Sequence, residues 1–187
     1  GREVTVIAGD FNKTVTSVLS NCRAKDATFC LLDQRTMECD WATVRLLAQH
    51  SWQGCKAELF YFVPVSWLHR TLAALKHDRE ARIEKWWGNS DWNRLLSLAQ
   101  EQITVQFVQR FKDEFGYVHV TPWPIFERAS GGRVMYTMIH CSDHDEAPKL
   151  MNRAYRKAVQ PLESPAQLEL EFRHANVTLS SPSPASE

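Results

Sequence analysis

The sequence predicts an α/β protein with a doubly wound, largely parallel sheet. Three apolar runs, at residues 3–8, 27–33 and 58–63, are nearly unbroken, which is typical of strands covered on both faces. Stretches with apolar residues at spacings of three and four follow the first two runs and indicate amphipathic helices. Strands that alternate with helices in this way favour an open sheet with helices on both sides.

The first helix is expected to begin near Asn12, which can cap it, and the second near Trp41. The middle of the chain is predicted to be helical as far as Phe115, where Gly116 is placed to end a long helix. The apolar faces of these helices are Val15, Val18, Leu19 and Cys22; Trp41, Val44, Leu47 and Ala48; Leu68, Leu72 and Leu75; and Ile103, Phe107, Phe111 and Phe115.

Beyond Gly116 the apolar spacing changes to every second residue. This pattern predicts two antiparallel strands, at residues 117–126 and 133–140, joined by a Ser130-Gly131-Gly132 turn. A last helix is expected at about residues 145–158. Its predicted inner face comprises Ala147, Leu150, Met151, Ala154 and Ala158.

The composition fits a single domain with a full core. The chain has 187 residues, of which 44% are apolar, and we assign residues 1–160 to that domain. Residues 161–187 contain four prolines and five serines and are predicted to be a disordered tail. Because the chain begins with Gly1 and enters an apolar run almost at once, we expect the natural protein to begin earlier.

Charge and cysteine content exclude several classes. With 22 basic and 22 acidic residues the formal net charge is zero, so no strong overall attraction to nucleic acid or to an anionic membrane is expected. The five cysteines form no CxxC pair, which argues against a zinc ribbon or a disulfide framework and favours a cytoplasmic location. No apolar run approaches the roughly 20 residues that a membrane span requires.

Four stretches carry a resemblance to a known family: LLDQRTMECDWATVRLLA (31–48), ELFYFVPVSWLHRTLAALK (58–76), KWWGNSDW (85–92) and MNRAY (151–155). They resemble the three-Cys-motif partner proteins (TcmP), bacterial proteins encoded beside a protein that carries three cysteines. The resemblance covers roughly residues 3–158, and DQRT and KWWG are its most specific parts. The family's reaction is not established.

The resemblance implies a Rossmann-like class I S-adenosylmethionine-dependent methyltransferase sheet, whose strand order is 3-2-1-4-5-7-6 with the seventh strand antiparallel. Residues 3–8, 27–33 and 58–63 would be the third, fourth and fifth strands, and the hairpin the sixth and seventh. The first two strands, with their glycine-rich loop, are absent from the chain. The implied cofactor is S-adenosylmethionine, the implied partner is the three-cysteine protein, and a nucleic-acid base is a candidate methyl acceptor. The alternative is a non-catalytic module of the same fold, which binds the three-cysteine protein through its tryptophan-rich helices.

Asp10 and Phe11 are the candidate cofactor-binding residues. The resemblance places Asp10 where the fold holds the adenine amino group with an acid, and Phe11 could stack on the ring. The alternative is that Asp10 only caps the following helix.

Asp33 and Gln34 are the candidate catalytic residues. They end an apolar run, and ligands of open α/β sheets bind outside the carboxyl ends of the strands. By resemblance they occupy the Asn/Asp-Pro-Pro-aromatic position of amino-methyltransferases, so Asp33 would orient the acceptor and Arg35 would hold a substrate phosphate or carboxylate. Many family members have Asp-Pro here, and Gln34 cannot fix the turn as proline does. Alternatively, Asp33 caps the next helix or pairs with Arg35.

Two further clusters have competing interpretations. Lys149, Arg153, Arg156 and Lys157 lie at helical spacings and are the best candidates for contact with a nucleic-acid substrate, the alternative being a solvated helix face. Trp86-Trp87-Gly88 and Trp92 are predicted to be core, the alternative being a surface that stacks a flipped base. The acids, histidines and cysteine at residues 140–146 match no standard zinc spacing, so no metal is predicted.

Overall fold

The computed structural model describes residues 4–23, 26–34, 36–74, 80–128 and 131–159. Arg35 and the tail at residues 161–187 lie outside these ranges, as does Leu75 of a predicted helix face. The helices are α1 (Phe11–Asn21), α2 (Trp41–Gln49), α3 (Leu68–Ala74), α4 (Glu80–Trp87), a 3-10 helix (Ser90–Ser97), α5 (Gln100–Phe115) and α6 (Ala147–Val159). The strands are β1 (Phe29–Leu32), β2 (Ser51–Trp52), β3 (Cys55–Lys56), β4 (Glu58–Val63), β5 (His119–Arg128) and β6 (Gly131–Ser142).

The protein has the predicted α/β class, but its four-stranded sheet, in the order β1-β4-β6-β5, is mixed rather than largely parallel, because the described part of the sheet has one parallel pair and two antiparallel pairs. Strands β1 and β4 are parallel, with Phe29 opposite Glu58 and Leu32 opposite Tyr61. Strand β6 runs antiparallel to both of its neighbours, β4 and β5. The predicted hairpin is therefore confirmed, and β2 and β3 form a separate two-stranded ribbon.

The apolar run at residues 4–8 is not a strand, so the mapping of the third strand onto it is wrong for the described residues. Val4 is 82% exposed and Val6 is 88% exposed. A strand forms only where a neighbour pairs with its backbone N–H and C=O groups. Among the described residues β1 pairs on one side only, with β4, and residues 4–8 pair with no strand.

The main core covers one face of the sheet. Trp41 of α2 and Phe107 and Phe111 of α5 pack around Tyr61 of β4, with ring centroids 5.5 to 6.2 Å from the Tyr61 ring. The predicted α5 face is confirmed, since Ile103, Phe107, Phe111 and Phe115 are all buried. Gly116 ends this helix in the left-handed conformation, at φ 67°.

The KWWG stretch belongs to this core. Trp86 and Trp87 are 0% exposed, so the alternative that they stack a flipped base is wrong. The guanidinium of Arg110 lies between the rings of Trp41 and Trp87, with its Cζ 4.0 and 4.1 Å from their centroids. Arg110 also donates hydrogen bonds to the backbone carbonyl of Trp87 and to Glu114. These contacts join α2, α4 and α5 around one buried cation.

Helix α6 covers the other face of the sheet. Tyr155 stacks on Trp123 with ring centroids 4.8 Å apart, and its hydroxyl donates to the carbonyl oxygen of Pro124 at 2.6 Å. The predicted inner face is partly wrong, because Leu150 is 57% exposed and the two alanines at 154 and 158 are exposed as well. A tyrosine ring with a hydroxyl partner buries more surface than a leucine, so the helix turns Tyr155 inward.

Candidate functional site

The carboxyl end of β1 is held to the end of β4 by Gln34. Its side chain is buried, and its Nε2 donates to the backbone carbonyl of Phe62 at 3.1 Å. Its Oε1 accepts from the backbone N–H of Cys39, also at 3.1 Å. The amide of Gln34 is therefore occupied by backbone groups, whereas the neighbouring Asp33 is exposed beyond the strand end.

Asn12 joins the start of α1 to the start of α2. Its Nδ2 donates to the carbonyl of Glu38 at 2.7 Å, while its Oδ1 accepts from the backbone N–H of Asp40 at 2.9 Å and from the hydroxyl of Thr43 at 2.8 Å. The sequence suggested only a helix cap at this position. These partners lie 26 to 31 residues away along the chain, and no local pattern encodes them.

Asp10 caps α1, as one of the two interpretations predicted. Its Oδ1 accepts from the backbone N–H of Asn12 at 3.0 Å, and Lys13 Nζ lies 3.8 Å from its other oxygen. The side chain remains 47% exposed, and the adjacent Phe11 is 41% exposed. The carboxylate of Asp10 and the ring of Phe11 are therefore both accessible from solvent at the start of α1.

These contacts bring three segments together: residues 10–12, 33–34 and 36–40. Asn12 links the first to the third, and Gln34 links the second to the third through Cys39. The edge so formed offers carboxylates as hydrogen-bond acceptors, from Asp10 and Asp33, and an exposed ring, Phe11. Acceptors beside an aromatic surface suit a ligand with amino hydrogens on a planar ring. We call residues 10–12, 33–34 and 36–40 the β1-end crevice.

The acidic junction before α6 has a structural role. Asp143 accepts from Lys56 Nζ at 2.9 Å and from the backbone N–H groups of Val118 and Lys56 at 3.1 and 3.2 Å. Burial alone would raise the pKa of Asp143, but these hydrogen bonds outweigh it and hold that pKa below its usual value. Burial lowers the pKa of His140, and the carboxylate of Glu58, 3.5 Å away, only partly opposes this.

No metal centre is visible in the part of the chain that the structure describes, and three of its thiols are held in the protonated form. No group of three or more potential ligands is placed there to hold a metal ion. Burial raises the pKa of Cys30 to about 11 and that of Cys39 to about 12, and it raises the pKa of Cys141 well above its usual value. These thiols are protonated near neutral pH and do not suit nucleophilic chemistry.

The predicted substrate cations lie on α6. Lys149 pairs with Glu146 at 2.6 Å, and Arg153 and Arg156 are exposed. A cavity of about 490 Å³ lies along this helix, and its described lining residues are Lys149, Asn152, Arg153, Arg156 and Lys157. The structure thus places the cations on a helix of the opposite sheet face from α2 rather than inside the β1-end crevice.

Comparison with known proteins gives no assignment: no family model, no curated protein and no solved structure matches the chain. None of the described helices has the length and apolar character that crossing a membrane requires.

Proposed function

We propose that this chain is the carboxyl-terminal portion of a methyltransferase-like domain of the three-Cys-motif partner type, which uses S-adenosylmethionine to methylate a nucleic-acid base. The observation that carries the proposal is the order and direction of the strands. The order β1-β4-β6-β5, with β6 antiparallel to its neighbours, is the order expected for the fourth, fifth, seventh and sixth strands of that fold. A crevice at the carboxyl end of a parallel strand agrees with it.

The residues of the β1-end crevice have matching roles. Asp10 would accept a hydrogen bond from the adenine amino group of the cofactor, and Phe11 would pack on its ring. The cofactor supplies an electrophilic methyl group. Asp33 would accept a hydrogen bond from the acceptor's amino group, so that the nitrogen lone pair is oriented for attack on the methyl group. Gln34 would act as a positioning residue, because its hydrogen bonds to Phe62 and Cys39 fix the turn without a proline.

Cofactor binding is tested by calorimetric titration of S-adenosylmethionine into the wild type and two matched variants. Asp10→Asn keeps the helix cap, since asparagine caps as well as aspartate, but removes the carboxylate. A charge-assisted hydrogen bond is worth about 1.5–3 kcal/mol, so binding should weaken about 10- to 150-fold. Asp26→Asn, at the other end of β1, is the control and should bind normally. A chain extended upstream to include the first two strands is titrated in parallel, and no heat of binding from either wild-type chain would overturn the proposal.

Methyl transfer is tested with radiolabelled cofactor and with RNA and DNA as acceptors. Asp33→Ala should lower kcat with little change in cofactor affinity, because Asp33 would orient the acceptor and alanine has no side-chain oxygen to do so. Asp26→Ala serves as the control. Equal rates for Asp33→Ala and the wild type would remove Asp33 from the reaction.

A second candidate is a binding module that partners the three-cysteine protein. Trp86 and Trp87 are buried and Trp92 is half-buried, so these indoles offer little surface to a partner. Strand β1 instead exposes Phe29 and Leu31 by 52% and 57% at the edge of the sheet. Apolar side chains on an edge strand are typical of an interface. Coexpression with the three-cysteine protein tests this. Leu31→Lys should abolish the complex, and Leu96→Lys, at a site 45% exposed on the 3-10 helix, should not.

A further inference from the structure

Helix α6 has one buried face and one cationic face. Ala147 and Tyr155 are buried against the sheet, at 6% and 9% exposure. Arg153, Arg156 and Lys157 are exposed on the opposite side of the helix. Because a residue advances by about 100° around a helix, these three cations and Lys149 fall within one arc of about 100°.

Three of the four cations of this face have no acidic partner among the residues that the structure describes. Lys149 pairs with Glu146, but Arg153, Arg156 and Lys157 form no ion pair with any described residue. No acid occurs in the sequence between Glu146 and Glu163. The helix dipole contributes only about half a negative charge at this end, against three positive charges. Favourable interaction with the helix dipole therefore explains only a small part of the positive charge collected on this face.

The cationic end of α6 lies toward the carboxyl ends of the parallel strands, as the β1-end crevice does, although α6 packs on β5 at the opposite edge of the sheet. The hydroxyl of Tyr155 binds the carbonyl of Pro124, which pairs with Thr137, and Thr137 pairs with Val63 at the carboxyl end of β4. The helix begins instead beside Ser142, whose hydroxyl binds Glu58 at the amino end of β4. It therefore runs from the amino to the carboxyl end of the parallel strands.

We infer that the face formed by Lys149, Arg153, Arg156 and Lys157 binds the phosphate backbone of a nucleic acid. Seven residues separate Lys149 from Arg156, a rise of about 10 Å. One strand of a duplex presents about three phosphates over that length. The inference deepens the proposed function by assigning the acceptor's phosphate contacts to a surface of α6, and it rests on that function for the chemistry but not for the binding.

A nucleic acid fits this face better than a membrane does. A helix that lies in a lipid surface buries apolar side chains between its cations. The described part of α6 exposes one large apolar side chain, Leu150, because Met151 and Tyr155 turn toward the sheet. The formal net charge of the chain is zero, so attraction to any polyanion depends on this local cluster.

Fluorescence anisotropy with a labelled 20-base-pair DNA duplex tests the inference across salt concentrations. Three phosphate contacts predict a fall in affinity of about 40-fold between 50 and 200 mM salt, and one remaining contact predicts about 4-fold. The test variant is Arg153→Gln with Arg156→Gln. The control is Lys85→Gln with Lys112→Gln, which also removes two exposed cations from the last turns of helices.

The expected result is a shallow salt dependence for the α6 variant and a wild-type dependence for the control, with thermal unfolding showing that both are folded. A single-stranded RNA probe of equal length distinguishes RNA from DNA as the source of the phosphates. The inference would be overturned if the salt dependence of affinity fell equally in the α6 variant and the control, or if the wild type bound neither probe. Binding to vesicles with 30% anionic lipid but to neither probe would replace it with a membrane site. Since no cofactor is present, these outcomes are independent of the S-adenosylmethionine titration.

Discussion

Gly88, an exposed residue that follows α4 and contacts the buried ring of Trp41, is expected to be highly sensitive to substitution. Its φ is +93°, and a Cβ added there would lie 2.6, 2.8 and 2.9 Å from three atoms of Trp41. Trp41 is 1% exposed and is held by aromatic rings and by Arg110, so it has no free space into which to move. Gly88→Ala must therefore displace a packed indole.

Two terms set the size of the effect. An L-residue in the left-handed region costs about 1–2 kcal/mol, and forcing extra atoms into a packed core costs about 1–3 kcal/mol more. Gly88→Ala should thus lower the free energy of unfolding by about 2–5 kcal/mol, a large part of the 5–15 kcal/mol typical of a domain. Gly116→Ala isolates the first term, because φ there is +67° and no atom lies within 4 Å of the added Cβ.

Urea unfolding followed by circular dichroism measures both variants, and near-ultraviolet dichroism reports the environment of Trp41. Gly88→Ala should lose about 1–3 kcal/mol more than Gly116→Ala and should alter the near-ultraviolet spectrum of the folded state. Losses that agree within about 0.5 kcal/mol, with unchanged spectra, would refute the assignment of Trp41 as the obstacle.

Three further predictions follow from the polar contacts. Asp143→Asn should cost about 2 kcal/mol at pH 7, because it removes a charge that Lys56 and two backbone N–H groups stabilise. The pKa of Asp143 in the folded state lies below its unfolded value of about 3.9, so the stability that Asp143 contributes is present above that pH and is lost as the pH falls through the folded pKa. In urea unfolding the difference in free energy of unfolding between the variant and the wild type should therefore close below about pH 4. A difference that stays constant with pH would contradict this. Cys55 is exposed and should react with a thiol reagent in the folded protein, whereas Cys141 is buried and should react only after unfolding. Mass spectrometry of the labelled peptides shows which cysteine has reacted. Gln34→Ala leaves two backbone groups without partners and should cost about 2–4 kcal/mol in urea unfolding, and a loss below 0.5 kcal/mol would show that water replaces the amide.

Periodicity predicted the helices and the hairpin because the side chains that define them lie within one element. It failed at residues 4–8, where an apolar run suggested a strand. A strand also needs a second strand to pair with its backbone, and an apolar run does not show whether such a partner is present. On α6 the pattern counted Leu150 as inward, but the long-range contacts of Tyr155 with Trp123 and Pro124 decide the orientation.

The crevice could be predicted only in part. Its acids were found because the ends of apolar runs are recognisable in sequence. The role of Gln34 was not found. The sequence shows only that glutamine stands where many family members have proline, and it gives no sign of the hydrogen bond to the carbonyl of Phe62, 28 residues away. The same limit applies to Asn12, whose partners lie on another helix and its preceding loop. Side chains that act over long separations leave no local signature.

Asn12 has a consequence for how two ligands of the proposed site would affect each other's affinity. Its single amide holds the loop that carries Asp10 against the segment that follows Asp33 and Gln34, so the two loops cannot adjust separately. A ligand that orders one loop therefore also orders the other loop. The protein then loses less conformational entropy when the second ligand binds. Thermodynamic linkage makes this benefit reciprocal. Cofactor and acceptor would then each raise the affinity for the other by the same factor, and Asn12→Ala should remove that cooperativity before it removes either site.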